Sequence, residues 1–238
     1  KTKRRISVIV PVHVFGNPCK IDKIVEIAGN FNLKVVEDAA ESLGSTYKGK
    51  HTGTFGLLGA ISFNGNKIIT TGGGGVILTD DEKLAKQAKH LTTTAKVPHK
   101  WEYVHDQLGY NYRMPNLNAA LGCAQLEKLD SYLKFKRELF HKYQKVINEY
   151  AGIRLLEENK FAQSNYWLQT IIFQNEISNK EILKAFDVSG LKCRPIWKPL
   201  HLLSYLSKFP QGVMINLELI HKRIINLPSM KLSNHKVI

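Results

Sequence analysis

One lysine stands where an apolar strand gives way to glycine. From Gly59 the chain runs through Ser62, Asn64, Gly65, Asn66 and Lys67 to Thr70 and Thr71, then through four consecutive glycines, Gly72 to Gly75. A strand ending in such a polar turn can gather donors around an anion. Ser62 and Asn64 offer side-chain hydrogen bonds, and glycines let backbone N–H groups come close. A lysine amine becomes a nucleophile when desolvated or set near another cation. The second chemical position is Asp38, which follows the apolar stretch Leu33–Glu37; ligands of open α/β sheets bind beyond the carboxyl ends of strands. Its carboxylate suits a cationic ring nitrogen, and it suits equally the N-cap of a helix opening on Ala39 and Ala40. Lys67 has an alternative reading too, as one more solvated lysine in a chain with 34 Lys and Arg.

The spacing excludes a P-loop. Five residues separate Gly59 from Gly65, where that motif has four. Asn66 intervenes before Lys67, and Ile68 follows it where Ser or Thr is required. No G-x-G-x-x-G run follows a strand, so a dinucleotide fold has no support.

These residues need a scaffold of strands and helices. Ile6–Val12 is apolar apart from Ser7 and reads as a buried parallel strand. Ile21, Ile24, Val25, Ala28 and Phe31 recur at helical spacing, and Leu33–Glu37 is the next strand, a right-handed crossover. Leu58–Phe63 and Gly75–Thr79 read as further strands, with Asp80 capping a helix through Leu84 and Ala88. Thr92–Leu108 is an irregular loop carrying Trp101, Tyr103 and His105, long enough to suggest function. A helical pattern then continues from Asn116 to about Tyr150, fit to link two domains. Beyond it lie strands at Ser164–Phe173 and Leu191–Trp197, and helices at Asn179–Phe186 and Leu217–Ile225. The expected division is a large domain over residues 1–127 and a small α+β domain over 128–238.

Composition bounds the function classes. With 238 residues, 43% hydrophobic and 23% charged, the chain reads as an ordinary soluble protein. It has no apolar run that could span a membrane. The basic start, Lys1 to Arg5, lacks a cleavage site and is not read as a signal peptide; the chain also lacks an initiator Met. Cys19, Cys123 and Cys193 are odd in number and widely spaced, which fits a reducing, cytoplasmic setting with free thiols. No Cys or His pair has zinc spacing, so no metal is expected. The net charge of +14 allows a nucleic-acid partner. The lysines are spread along the whole chain without a recognition motif, so a solvated basic surface is favoured and no nucleic-acid partner is expected.

Together, Asp38-Ala39-Ala40, Gly49-Lys50, Gly53, Ser62-Phe63, Lys67 and the glycine run resemble the core of the DegT/StrS family, fold-type I pyridoxal-phosphate (PLP) enzymes that aminate nucleotide-linked keto sugars. Gly109 to Pro115, Asn118 to Gly122 and Arg194 to His201 agree in order and spacing, so the resemblance runs from about Pro11 to Pro228. Val12 to Pro18 and Asn64 to Lys67 look most like the LegC-like branch, which acts on UDP-linked 4-keto-6-deoxy sugars.

The resemblance implies a three-layer α/β fold around a mixed, mainly parallel sheet, with a small C-terminal α+β domain. It implies that Lys67 holds the cofactor as a Schiff base and shuttles a proton, and that Asp38 pairs with the pyridine nitrogen and keeps the ring an electron sink. Ser62 would bind the cofactor phosphate, and Asn111 would reach the phosphate of a neighbouring subunit, so active sites are shared in a homodimer. Glu41 stands where many relatives carry Gln or His near the ring oxygen; it contacts either cofactor or substrate. Arg194, Trp197 and His201, with the Thr92–Leu108 loop, would line the sugar-nucleotide pocket. Dehydratase members of the family replace the lysine with His, so Lys67 favours transamination, with glutamate as donor and amino sugars for surface polysaccharide as product. Family members begin well before the position of Lys1. The resemblance therefore implies an N-terminally truncated large domain with an unpaired sheet edge, and leaves a non-catalytic remnant as the alternative.

Overall fold

A computed structural model describes residues 4–177 and 179–230, so most of the basic start and the last eight residues lie outside it. The residues group into two units. The N-terminal unit comprises Ile6–Leu133 with Glu158–Asn165, and the C-terminal unit comprises Lys134–Glu157 and, among the described residues, those from Tyr166 up to 230, with Arg4 and Arg5.

The N-terminal unit opens with β1 (Val8–Ile9), α1 (Ile21–Asn30) and β2 (Lys34–Asp38), the expected parallel crossover. Two short strands, β3 (Thr46–Tyr47) and β4 (Lys50–His51), precede β5 (Leu58–Ser62) and β6 (Gly75–Leu78). Then come α2 (Glu82–Thr92), α3 (Asn116–Leu126) and the start of α4 (Leu129–Ile147). The main sheet runs β1-β2-β5-β6, parallel except for the last pair. Ile21, Ala28, Val35 and Tyr47 form its buried cluster, because the apolar stripe of α1 lies on β2.

Several elements depart from the expectations. β1 pairs over two residues, and Pro11, which has no N–H, interrupts the ladder before an isolated bridge joins Val12 to Asp38. Ile6–Val12 is not uniformly buried, since Val8 and Val10 are 43% and 58% exposed on a strand with no outer neighbour among the described residues. The cap of α2 is Asp81, whose Oδ1 accepts from the Lys83 and Leu84 N–H groups, and not Asp80. The helical stretch from Asn116 forms two helices, α3 and α4, parted at Glu127 and Lys128.

The C-terminal unit takes the rest of α4 and adds β7 (Ile153–Leu155). Past β8 (Ala162–Gln163), which pairs with β3 in the N-terminal unit, it continues with β9 (Gln169–Phe173), α5 (Asn179–Val188), β10 (Arg194–Pro195), α6 (Ile215–His221) and β11 (Ile224–Leu227). Its sheet is antiparallel in the order β10-β11-β9-β7. Phe140, Leu155, Tyr166, Ile171 and Ile225 fill its core. The helix expected over Leu217–Ile225 stops at His221, and the following apolar residues form β11, buried between β9 and β10. The strand expected over Ser164–Phe173 shrinks to β9, and that over Leu191–Trp197 to β10.

Candidate functional site

The end of β2 and the turn after it carry three acidic residues, Glu37, Asp38 and Glu41, with different surroundings. Glu37 faces inward and is fully buried. Its Oε2 accepts from His13 Nε2 at 3.0 Å and the Gly53 N–H at 2.8 Å, and its Oε1 accepts from the Phe55 and Gly56 N–H groups at 2.6 and 2.7 Å. The Cys19 N–H donates to His13 Nδ1 at 3.2 Å, so the imidazole proton sits on Nε2 and is donated to Glu37. Burial pushes the Glu37 carboxyl upward, but the His13 and backbone hydrogen bonds outweigh it and leave the group below its ordinary value. This network ties the loops at residues 13–19 and 53–56 to the back of the strand.

Asp38, the next residue, points to the other face, as the two-residue period of a strand requires. It lies opposite Ala60 in β5, and its backbone bonds to Pro11 and His13. Oδ1 accepts from the Ala40 N–H at 3.1 Å. No helix begins at Ala39, so this is a local turn and not the helix cap that the sequence left open. Oδ2 has no hydrogen-bond partner among the described residues, which leaves an acceptor for a cationic N–H.

Lys67 sits in a closed loop. Ser62 lies opposite Gly75, and the Phe63 carbonyl accepts from the Thr71 N–H and the Thr70 hydroxyl at 3.0 and 3.1 Å, pinching the loop shut. The Lys67 N–H donates to the Asn64 carbonyl at 3.0 Å, a tight turn that turns the side chain inward. Lys67 is 14% exposed, and its Nζ lies 3.8 Å from Glu41 Oε1. Glu41 Oε2 accepts from the Phe15 N–H at 2.7 Å. Burial pushes the Glu41 carboxyl above its ordinary value and the charge of Asp38 adds to this, while the Phe15 N–H and Lys67 work against it. Lys67 and Glu41 thus face each other, with Glu41 three residues beyond Asp38 in the chain. Ser62 Oγ accepts from the Asn64 N–H at 3.2 Å, and its own O–H can still donate to an anion.

Helix α3 braces this loop. Asn118 Nδ2 donates to the Thr71 carbonyl, and the Thr70 N–H reaches Gln125 Oε1 at 3.4 Å. A Cβ at Gly122 would stand 2.9 Å from Thr71 Cγ2, so only glycine lets helix and loop meet.

Asn111 is exposed on a loop that bridges to Thr93. A cleft of about 700 Å³ runs along β5, β6 and α2, lined by Ala60, Gly75, Ile77, Ala88 and Tyr112; it touches the Asp38 register through Ala60, and Lys67 does not line it. Arg194, Trp197 and His201 belong to the C-terminal unit. Arg194 is exposed on β10, Trp197 stacks on Trp167, and His201 Nε2 pairs with Glu218 at 3.2 Å with its side chain 8% exposed. His13, Glu37, Phe15 and Gln125 carry site geometry that the sequence reading gave no role. Nothing in the local sequence marked Glu37 as buried, because β2 also carries Lys34 and Asp38.

The profile of the DegT/DnrJ/EryC1/StrS aminotransferase family matches residues 1–237. GDP-perosamine synthase of Escherichia coli O157:H7 is 39% identical over 100% of this chain and 65% of its own length. EpsN of Bacillus subtilis strain 168, named as a pyridoxal phosphate-dependent aminotransferase, is 41% identical over 81% of this chain and 50% of its own length. Among solved structures, an aminotransferase of this family from Brucella abortus superposes with a TM-score of 0.83 at 26% identity, covering 96% of this chain and 61% of that one. The aminotransferase TlmJ from Streptoalloteichus hindustanus gives a TM-score of 0.90 at 24% identity over 98% and 64%, a likeness of fold. The chain therefore spans between half and two thirds of the length of these relatives.

Proposed function

The chain belongs to the DegT/DnrJ/EryC1/StrS aminotransferase family, and we propose that it serves a pyridoxal-phosphate enzyme that transfers an amino group to a nucleotide-linked keto sugar. The observation that carries this reading is the approach of the shielded Lys67 Nζ to within 3.8 Å of Glu41 Oε1, with Asp38 at the end of β2 three residues before Glu41. The residues present fit the cofactor. Lys67 offers a shielded amine, Asp38 an uncommitted carboxylate oxygen, Ser62 a hydroxyl donor, and the loop after Lys67 the glycines that an anion needs.

Pyridoxal phosphate, when bound, supplies an aldehyde that condenses with amines and a ring that withdraws electrons from the carbon next to the nitrogen. The chain supplies the rest. Lys67 would hold the cofactor, and its amine would serve as the base that moves a proton from the amino donor. Asp38 would keep the ring nitrogen cationic. Glu41, anchored by Phe15, faces Lys67 as its acidic neighbour and sets the polarity of the amine's surroundings. Ser62, with Asn111 from a second copy, would donate hydrogen bonds to the phosphate in a homodimer. Arg194, Trp197 and His201 serve the nucleotide-sugar side. Glutamate is the proposed donor, and a UDP- or GDP-linked 4-keto-6-deoxy sugar the acceptor. The relatives named for GDP-perosamine and for UDP-4-amino-4,6-dideoxy-N-acetyl-beta-L-altrosamine support that class.

The test is borohydride reduction of protein incubated with pyridoxal phosphate, followed by peptide mass spectrometry. The expected result is a reduced adduct on Lys67 that is missing in Lys67→Ala. An adduct spread over surface lysines, or none on a folded chain, overturns the reading.

A further inference from the structure

The C-terminal unit holds a half-buried lysine that amine transfer does not use. Lys136, on α4, directs its ammonium to three oxygens: the Trp167 carbonyl at 3.0 Å, Ser229 Oγ at 2.7 Å and the Ser229 carbonyl. Ser229 Oγ in turn donates to the same Trp167 carbonyl at 2.9 Å. Two donors therefore fix the backbone of Trp167. Its indole is 3% exposed and lies nearly parallel to that of Trp197, with centroids 6.2 Å apart and planes at 14°. Trp197 is 58% exposed. A flat ring that rests on a held, buried ring offers contact area and has little freedom left to lose on binding. Arg194 and Lys198, close to it in the chain, are both exposed.

We infer that Trp197 is a base-stacking residue: its open face receives the nucleobase of the nucleotide-linked substrate, Trp167 is the platform, and Lys136 positions that platform. This rests on the sugar-nucleotide reading above and narrows it to a subsite. A planar base can cover an indole face at van der Waals distance, whereas a puckered sugar meets it at a few C–H groups. The cations at 194 and 198 match the diphosphate that joins base to sugar. Stacking tolerates every base, so purine and pyrimidine nucleotides both bind, the larger purine more tightly.

The test is calorimetric titration of the pyridoxal-phosphate-loaded protein with GDP, UDP and glucose 1-phosphate. Trp197→Leu is expected to weaken GDP and UDP about tenfold and to leave glucose 1-phosphate unchanged. Trp197→Phe, which keeps an aromatic face, is expected to recover most of the loss. Lys136→Met is expected to diminish the far-ultraviolet circular-dichroism couplet of the paired indoles and to weaken both nucleotides. Should that variant not fold, Ser229→Ala removes one of the two donors and gives the same readouts in smaller measure. The inference is overturned if neither nucleotide binds the parent protein or if Trp197→Leu binds as the parent does. Equal loss of all three ligands, or a Phe variant as weak as Leu, also overturns it. An unchanged couplet and unchanged affinity in a folded Lys136 or Ser229 variant removes the positioning role. Borohydride trapping on the same preparations separates the two claims: trapping without Trp197-dependent binding sinks this inference alone, and failed trapping sinks the enzyme reading.

Discussion

Glu37→Gln changes one oxygen to an amide nitrogen in a side chain with no solvent exposure. The native carboxylate accepts four hydrogen bonds, two on each oxygen. The amide keeps one acceptor oxygen. If that oxygen serves Phe55 and Gly56, the new NH₂ group faces His13 Nε2 and the Gly53 N–H, both donors. His13 could accept only by moving its proton to Nδ1, and that would break its bond from the Cys19 N–H. The opposite orientation sets the NH₂ against the Phe55 and Gly56 N–H groups. Either way at least two bonds to a charged acceptor are lost, at about 1.5–3 kcal/mol each. Relief from burying a charge returns part of this. A net loss of about 3 kcal/mol is expected, a large share of the roughly 5–15 kcal/mol that holds a typical domain. Urea unfolding at neutral pH measures it; a variant within about 0.5 kcal/mol of the parent, against ordinary surface-substitution noise, would refute the reasoning. The sign in pH follows from the same group. The folded-state pKa of Glu37 lies below its ordinary value near 4.5, so its contribution is present above that pH and is lost as pH falls through the folded value. The Gln variant should show a shallower loss of stability on the acid side.

Gly59→Ala would bring a Cβ to 1.9 Å from the Gly53 carbonyl oxygen; we expect a loss of at least about 3 kcal/mol or failure to accumulate folded protein, read by thermal unfolding. Asp81→Ala removes the acceptor for two N–H groups at the start of α2 and should cost about 1 kcal/mol in urea unfolding. Burial pulls the Lys136 ammonium from 10.5 down to about 8. The folded chain therefore releases that proton before the unfolded chain does, and stability should rise between pH 8 and 10.5 by up to about 3 kcal/mol, a slope that Lys136→Met should remove in unfolding curves.

The positions singled out for chemistry each combined a residue type with a place in the fold. Lys67 followed a strand and preceded glycines, and Asp38 ended a strand; the structure sets Lys67 Nζ 3.8 Å from Glu41 Oε1. What holds them was not legible. A glutamate inside a strand reads as solvent-facing, and only the fold reveals that Glu37 meets three backbone N–H groups from a loop sixteen to nineteen residues later. Likewise the spacing of Leu217, Ile220 and Ile224 suits a helix, yet the last of these enters a strand, since a short apolar run carries no period strong enough to separate the two. The resemblance set His201 among the substrate-pocket residues, and the structure adds a partner, Glu218, on a helix seventeen residues on, a pairing that local sequence does not announce.

Strand β11 is the last in order among the described residues, yet it occupies an inner place in its sheet, between β10 and β9. Synthesis on a ribosome would deliver β7, β9 and β10 first, and β10 would then have no ladder neighbour until β11 follows it. A premature stop codon just ahead of Ile224 would not trim a dispensable tail; it would remove the keystone of that sheet and leave its nascent product to proteolysis.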